Sequence, residues 1–156
     1  MSNPVTVIAE PGTSFIDVTR EFDAPLEAVY QAYVDPELVV KWLGPRELSI
    51  RDLEYDVRPG GIWRFVHADD AGNEFEFYGV FHSVAADRIT RTFEFGGVPG
   101  HVILESIVFE EVAPGRTRVS TRSAFQAVED RDGMLASGME RGQTEGFERL
   151  DELLAG

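Results

Sequence analysis

Apolar and polar residues alternate along most of the chain, and this two-residue period predicts β-strands. Between Thr13 and Phe22 the apolar phase contains Ile16 and Val18, and Arg20 falls in the same phase. Further strand-like segments, separated by turn signals, occupy residues 47–57, 62–68, 74–84, 88–95, 102–112 and 116–125. Connections this short join antiparallel strands, because parallel strands need a crossover of a dozen or more residues.

Two regions follow a helical period instead. Asp23-Ala24-Pro25 predicts a helix start with an acidic cap, and Asp35-Pro36 ends that helix and begins a second, which stops at Gly44-Pro45. Near the end of the chain, a break at Gly138 follows a short helical piece over about residues 129–137. Beyond this break, residues at steps of three and four predict a long amphipathic helix: Met139, Gly142, Gly146, Leu150 and Leu153.

The order of elements predicts an α+β domain. An antiparallel sheet with one apolar face needs a cover, and the last helix is the only element long enough to provide it. We therefore expect a curved antiparallel sheet of about six or seven strands around the C-terminal helix, with two short helices after the first strand. We interpret residues 1–12 as a loose or edge-strand N-terminal segment and residues 13–156 as one domain.

Charge and composition exclude several classes of function. The 156 residues carry a formal net charge of −14 and include no cysteine. A chain this acidic is repelled by phosphate backbones, so we expect no binding to nucleic acid. No apolar run is long enough to insert into a membrane, and no signal peptide is evident, so we expect a cytoplasmic protein. Neither a phosphate-binding glycine loop nor a histidine pair with ligand spacing occurs, so we expect neither a cofactor nor a metal site.

Several short motifs occur in an order that resembles the START-like superfamily, which has the helix-grip fold and includes Bet v-type allergens and polyketide cyclases. Within it the chain is similar to the Aha-type family, named for the activator of the heat-shock-protein-ninety ATPase. The resemblance implies a space between sheet and helix in which relatives bind lipids, sterols, polyketides or hormones. It is carried by residues 22–25, 29–33, 35–38, 41–45, 58–65, 78–80, 115–119, 138–142 and 150–154.

Three polar side chains are candidates for acid–base chemistry: His67, Glu105 and Tyr78. His67 shares one face of its strand with Trp63 and Phe65, which places it at the rim or floor of a cavity if that face is inward. Its ordinary pKa suits proton transfer, but a strand-end histidine is more often structural. Glu105 is costly on an apolar face unless it is paired, so it is either a tuned carboxylate or the partner of an arginine. Both phases of its strand are apolar, which leaves the inward face open.

The glycines at positions 138, 142 and 146 are unusual, because each costs a helix interior about 1 kcal/mol relative to alanine. Gly142 and Gly146 fall on the apolar face of the last helix. Their missing side chains either let the helix touch the sheet, leave room for a ligand, or form a dimer seam.

The sequence favours a protein that binds a small hydrophobic molecule between sheet and helix, acting as a monomer or homodimer. The alternatives are an enzyme of the polyketide cyclase or hydrolase kind and a chaperone-associated or regulatory partner protein; we expect binding rather than catalysis. The predicted ligand-binding residues are aromatic, apolar or small, with one histidine: Trp42, Trp63, Phe65, His67, Tyr78, Phe93, Met139, Gly142, Gly146 and Phe147.

Overall fold

The computed structural model describes residues 3–156 and contains eight strands and four helices. The strands are β1 (Thr6–Ile8), β2 (Phe15–Phe22), β3 (Ser49–Tyr55), β4 (Ile62–Ala68), β5 (Glu74–Val84), β6 (Arg88–Phe95), β7 (Val102–Ala113) and β8 (Arg116–Ala124). The helices are α1 (Leu26–Val34), α2 (Pro36–Trp42), α3 (Val128–Ala136) and α4 (Met139–Ala155). This is the predicted α+β helix-grip architecture, with one or two strands more than predicted.

All strands belong to one antiparallel sheet in the order β1-β2-β8-β7-β6-β5-β4-β3. The additional strand is β1, which lies within residues 1–12 and pairs with β2 at one edge of the sheet. The β2–β8 pair joins the first and last strands of the predicted domain. It therefore brings β2, which precedes the two short helices, next to the last of the six strands that follow them. The inner face of the sheet holds the core.

The helix boundaries follow local chemistry, with one difference from the prediction. The Asp35 carboxylate accepts a hydrogen bond from the Glu37 backbone N–H and caps α2, and Pro36 occupies its first turn. Asp23, however, does not cap α1, which follows Pro25 without a side-chain cap. Asp23 lies too early in the chain and instead contacts Arg116 at 2.7 Å between Oδ1 and Nη1.

Gly138 separates α3 from α4, as predicted. Its φ is +85°, a left-handed conformation that glycine adopts without the penalty other residues suffer. Gly138 therefore precedes α4 rather than lying inside it. This placement removes one of the three glycines from the helix interior.

Helix α4 is fixed to β2 by a buried ion pair. Arg20 is 2% exposed on the inner face, and its two Nη atoms donate to the two carboxylate oxygens of Asp151 at 2.5 and 2.6 Å. The Arg20 guanidinium also lies 4.5 Å from the centre of the Phe22 ring, which packs edge-on against Phe147. These contacts anchor the C-terminal half of the helix to one end of the sheet.

Candidate functional site

An aromatic wall covers the inner face of the sheet at the opposite end from the Arg20–Asp151 pair. It consists of Trp63, Phe65 and His67 on β4, Phe77 on β5 and Phe93 on β6. Neighbouring ring centres in the wall lie 4.9 to 5.7 Å apart. Alternation along the strands explains the arrangement, because residues two apart point to the same face.

The wall is closed on one side and partly open on the other. Trp63 is fully buried and Phe65 nearly so, whereas Phe77 and Phe93 are only half-buried. Phe95 continues the inner face of β6 and is also half-buried. An apolar surface that remains accessible at the edge of a core is suited to contact with another apolar molecule.

A charged pair lies beside the wall. Arg91 on β6 and Glu105 on β7 are directly opposite in register, and Arg91 Nε donates to Glu105 Oε1 at 3.0 Å. The guanidinium of Arg91 also lies 4.5 Å from the centre of the Trp63 ring, a cation–π contact. The side chains are 13% and 16% exposed, so both charges are largely but not fully removed from water.

Two tyrosines extend this polar group. Arg91 Nη1 donates to the Tyr55 hydroxyl at 3.4 Å, and that hydroxyl donates to the backbone carbonyl of Tyr33 at 2.8 Å. Burial raises the pKa of Tyr55, which stays a neutral donor. For Arg91, burial alone would lower the pKa, but Glu105 and Tyr55 together, through their charge and their hydrogen bonds, outweigh burial and the pKa is raised. Arg91 therefore remains charged, and Glu105 is bonded to it rather than free.

Of the candidate acid–base residues, His67 and Glu105 lie on the inner face and Tyr78 does not. The sequence left open which phase of β7 faces inward. The phase of Glu105 does, since Leu104 in the opposite phase is 47% exposed. Tyr78 follows Phe77 by one residue and so points to the outer face, opposite Glu94 in register. Tyr78 therefore does not belong to the wall.

Trp42 also lies away from the wall. Its indole N–H donates to the backbone carbonyl of Ala32 at 2.8 Å, and its ring packs against Tyr33. Trp42 is 4% exposed and ties α2 to α1. Its burial is as predicted, but it is a contact between the two short helices.

From the helix side, α4 presents Met139, Gln143 and Phe147 at successive turns. Met139 is half-buried and packs against the core, and Phe147 is buried against Phe22. The amide oxygen of Gln143 is buried and has no hydrogen-bond partner within residues 3–156. A partnerless buried acceptor is costly, so this position is one where a ligand donor or a water would be stabilised.

The glycines of α4 contact a loop, not the wall. A Cβ at Gly146 would lie 3.3 Å from the Gly44 nitrogen and from the Trp42 carbonyl oxygen, and a Cβ at Gly142 would lie 3.6 Å from Pro45 Cδ. Of the three alternatives for the missing side chains, room for a ligand at these two positions is therefore not found, and the helix contacts a loop rather than the sheet. The missing side chains let the helix approach the segment between α2 and β3.

Replacing Gly146 with leucine is expected to lower the free energy of unfolding by about 1–3 kcal/mol. The larger side chain meets backbone atoms that cannot rotate away, which outweighs the helix-propensity gain of up to about 1 kcal/mol. Urea denaturation measures the change. The control is Gly142→Ala, whose Cβ would make an ordinary contact and should stabilise the helix. A Gly146→Leu protein more stable than the parent would contradict the contact with Gly44.

Two surface depressions lie away from the wall. One, of about 450 Å³, is bordered by Asp23 and by the last turns of α4; the other, of about 350 Å³, lies between α1 and Ala86. In the described part of the chain no group of three or more histidine or acidic side chains could hold a metal ion. No helix there is long and apolar enough to cross a bilayer.

The sequence from residue 23 to residue 155 matches the model of the family described as activator of Hsp90 ATPase homolog 1-like protein. The chain belongs to this family. The match covers α1 through α4, and thus every residue of the aromatic wall and of the Arg91–Glu105 pair. No curated protein is significantly similar to this chain.

Solved structures of bacterial proteins share the fold over nearly the whole chain. A Mycobacterium smegmatis protein is 24% identical, covers 97% of each chain and has a TM-score of 0.86. A Nitrosomonas europaea protein is 27% identical, covers 94% of this chain and 97% of its own, and has a TM-score of 0.82. The AHSA1 protein of Silicibacter pomeroyi is 20% identical, covers 90% of this chain and 97% of its own, and has a TM-score of 0.76.

Several residues of the site, and the Arg20 that attaches α4 to the sheet, were not predicted, although the sequence carried a signal for Arg20. Arg20 falls in the buried phase of β2, and a charge in that phase requires a partner. Arg91 and Tyr55 carry no comparable signal, because their role depends on which strands become neighbours. For Gln143, the signal in the sequence is its spacing of four residues from Met139 and from Phe147, which places it on the same face of α4.

Proposed function

We propose that this member of the family binds a small, largely apolar molecule against the aromatic wall, under the N-terminal half of α4. The observation that carries the proposal is the half-open wall: Phe77 and Phe93 are partly accessible beside the buried Trp63. Aromatic faces favour flat or ring-containing apolar ligands, which stack on them. The fold supports the proposal, since the START-like resemblance implies ligand binding in this space.

The polar groups beside the wall fit the role of an anchor for one end of the ligand. Glu105 is held by Arg91, and Tyr55 donates to a backbone carbonyl, so the cluster is already satisfied and ordered. A ligand carrying a single polar group gains a hydrogen bond there without meeting an uncompensated charge. A pocket of this kind needs only apolar area and one or two placed polar groups.

Catalysis is less well supported than binding. A general acid or base needs a free proton-transfer atom within reach of a substrate. Glu105 is bonded to Arg91, and the ring of His67 packs against the backbone of Gly44 rather than against open space. A cytoplasmic location and a monomeric or homodimeric state remain predictions.

Binding of the neutral apolar dye Nile red tests the proposal, with energy transfer from tryptophan as the signal. In a Trp42→Phe background Trp63 is the remaining tryptophan, and we expect saturable transfer from it to the dye. Phe93→Ala should weaken binding about tenfold or more, because burying a phenylalanine side chain is worth about 1.5–3 kcal/mol.

The matched control is Phe15→Ala. It removes a partly exposed phenylalanine of β2 that lies outside the wall, beneath the guanidinium of Arg122 on β8. Equal affinities of the Phe15→Ala and Phe93→Ala proteins would contradict binding at the wall. Native mass spectrometry of freshly purified protein would identify a co-purified molecule.

A further inference from the structure

His67 lies directly beneath the segment that joins α2 to β3. Its imidazole is 7% exposed and packs edge-on against Phe65 and Phe77, with ring centres 4.9 and 5.6 Å away. Gly44 is so close that a Cβ there would lie 2.6 Å from His67 Cε1 and 2.7 Å from Nε2. Because Gly44 also has a φ of +91°, only glycine fits this position well.

The same segment also packs against α4. Gly146 approaches the Gly44 nitrogen and the Trp42 carbonyl, as described above. Arg149 Nη1 donates to the Gly44 carbonyl at 3.1 Å, and its Nη2 donates to the Lys41 carbonyl at 3.0 Å. Residues 41–45 therefore contact both the histidine on the sheet and the glycine face of the helix.

The surroundings of His67 do not accommodate a positive charge. Its Nε2 is buried and has no hydrogen-bond partner within residues 3–156. The residues opposite it in the sheet are Ile50 on β3 and Phe75 on β5, both apolar. Among the described residues, the charged group that acts on it is Arg149 of α4, which is itself positive.

The net effect of these surroundings is to lower the pKa of the imidazole. Burial lowers the pKa of His67, hydrogen bonding to the Leu43 backbone partly offsets this, and Arg149 lowers the pKa further. The structure with α4 packed against residues 41–45 therefore favours the neutral form of His67. A proton added at His67 would place a cation without a carboxylate partner between the rings of Phe65 and Phe77 and the backbone of Gly44.

We propose that His67 is a proton-operated latch for α4. The neutral ring holds residues 41–45 in place under the helix, and protonation releases this segment together with the N-terminal half of α4, opening the aromatic wall. The Arg20–Asp151 pair keeps the C-terminal half attached to β2. The latch does not depend on the proposed binding function, because release of the helix occurs without a ligand.

The direction of the pH effect follows from linkage. The pKa of His67 in the folded protein lies below its value of about 6.5 in the unfolded chain. The stability supplied by the neutral ring is therefore complete above about pH 6.5, and it is lost as the pH falls from there through the folded pKa. We therefore expect α4 to be closed over the wall at neutral pH and its N-terminal half to be released in mild acid.

Hydrogen exchange measured on the ligand-free protein tests the latch. We expect protection factors in residues 41–48 and 139–150, corrected for intrinsic rates, to fall at least about tenfold between about pH 7.5 and a pH below the His67 pKa. Helix α1 serves as the internal reference and should keep its protection. The parent for this experiment carries His82→Gln and His101→Gln, which leaves His67 as the remaining histidine.

His67→Phe and His67→Asn, each made in that parent, should abolish the local pH dependence. Two variants are used because the larger phenylalanine ring is crowded by Gly44, whereas asparagine is smaller. NMR titration of the parent supplies a measurement that needs no change at position 67. The proposal is overturned if His67 titrates at or above about pH 6.5, or if either folded variant shows the parent's loss of protection.

Discussion

Replacing Trp63 with alanine is expected to lower the free energy of unfolding by about 3–5 kcal/mol, the usual cost of truncating a buried tryptophan. Trp63 has no exposed surface, and its ring contacts Phe65, Phe93 and the guanidinium of Arg91. Its indole N–H donates to the Thr92 carbonyl at 3.1 Å, so the substitution also leaves that acceptor without its indole donor. Urea denaturation monitored by circular dichroism measures the change.

Ile62→Ala is the matched control for this substitution. Ile62 precedes Trp63 on β4 but lies on the outer face and is 51% exposed, so its truncation should change stability by about 0.5 kcal/mol or less. Similar losses in the two variants would contradict the burial of Trp63, and a larger loss in Ile62→Ala would show that the inner and outer faces of β4 are reversed. Trp63→Phe should lie between the control and the alanine variant, because it keeps an aromatic ring in the wall.

Most of the fold follows from periodicity and from local stop signals. Alternation placed Trp63, Phe65 and His67 on one face, and two aromatic residues in phase were enough to indicate that this face is inward. The helix break at Gly138 was visible because glycine interrupts an otherwise regular apolar period. Both signals are local, so neither depends on which elements become neighbours in space.

The polar part of the candidate site could not be predicted in the same way. Both phases of β7 are apolar, so periodicity could not assign Glu105 to a face. Its partner Arg91 comes from β6, and the match depends on strand register, which is set by turn geometry and by the whole inner face. The link to Tyr55 crosses the sheet from β3 and depends on the bulge that β3 forms between Arg51 and Glu54.

The glycine face of α4 shows a different limit of prediction from sequence. Helical spacing correctly grouped Gly142 and Gly146, but it carries no information about the element opposite them. That element is a loop of the chain about 100 residues earlier, and its close approach requires the left-handed Gly44. Backbone atoms occupy the space next to Gly146, which excludes the alternative of ligand room at that position, and the accessible surface lies at Phe77 and Phe93.

Replacing Asp151 with asparagine is expected to lower the free energy of unfolding by about 3 kcal/mol. The Arg20 side chain is 1% exposed, and loss of the carboxylate leaves its guanidinium buried without a counter-ion. Breaking a buried pair from one side typically costs about 3–5 kcal/mol, and the lower end applies because Asp151 is 32% exposed. Denaturation in low and high salt measures the loss, which added salt should not reverse.

The outer face offers a matched pair for comparison with Arg20–Asp151. Arg122 donates from two nitrogens to Asp17, and Asp17 is 33% exposed, but Arg122 is 57% exposed. Asp17→Asn should therefore cost only about 0–1 kcal/mol, and added salt should weaken even that effect. The two aspartates differ mainly in the burial of their arginine, so equal losses would show that Arg20 has access to water. A larger loss at Asp151 would show that desolvation of Arg20, rather than the number of hydrogen bonds, makes this pair the attachment of α4 to the sheet.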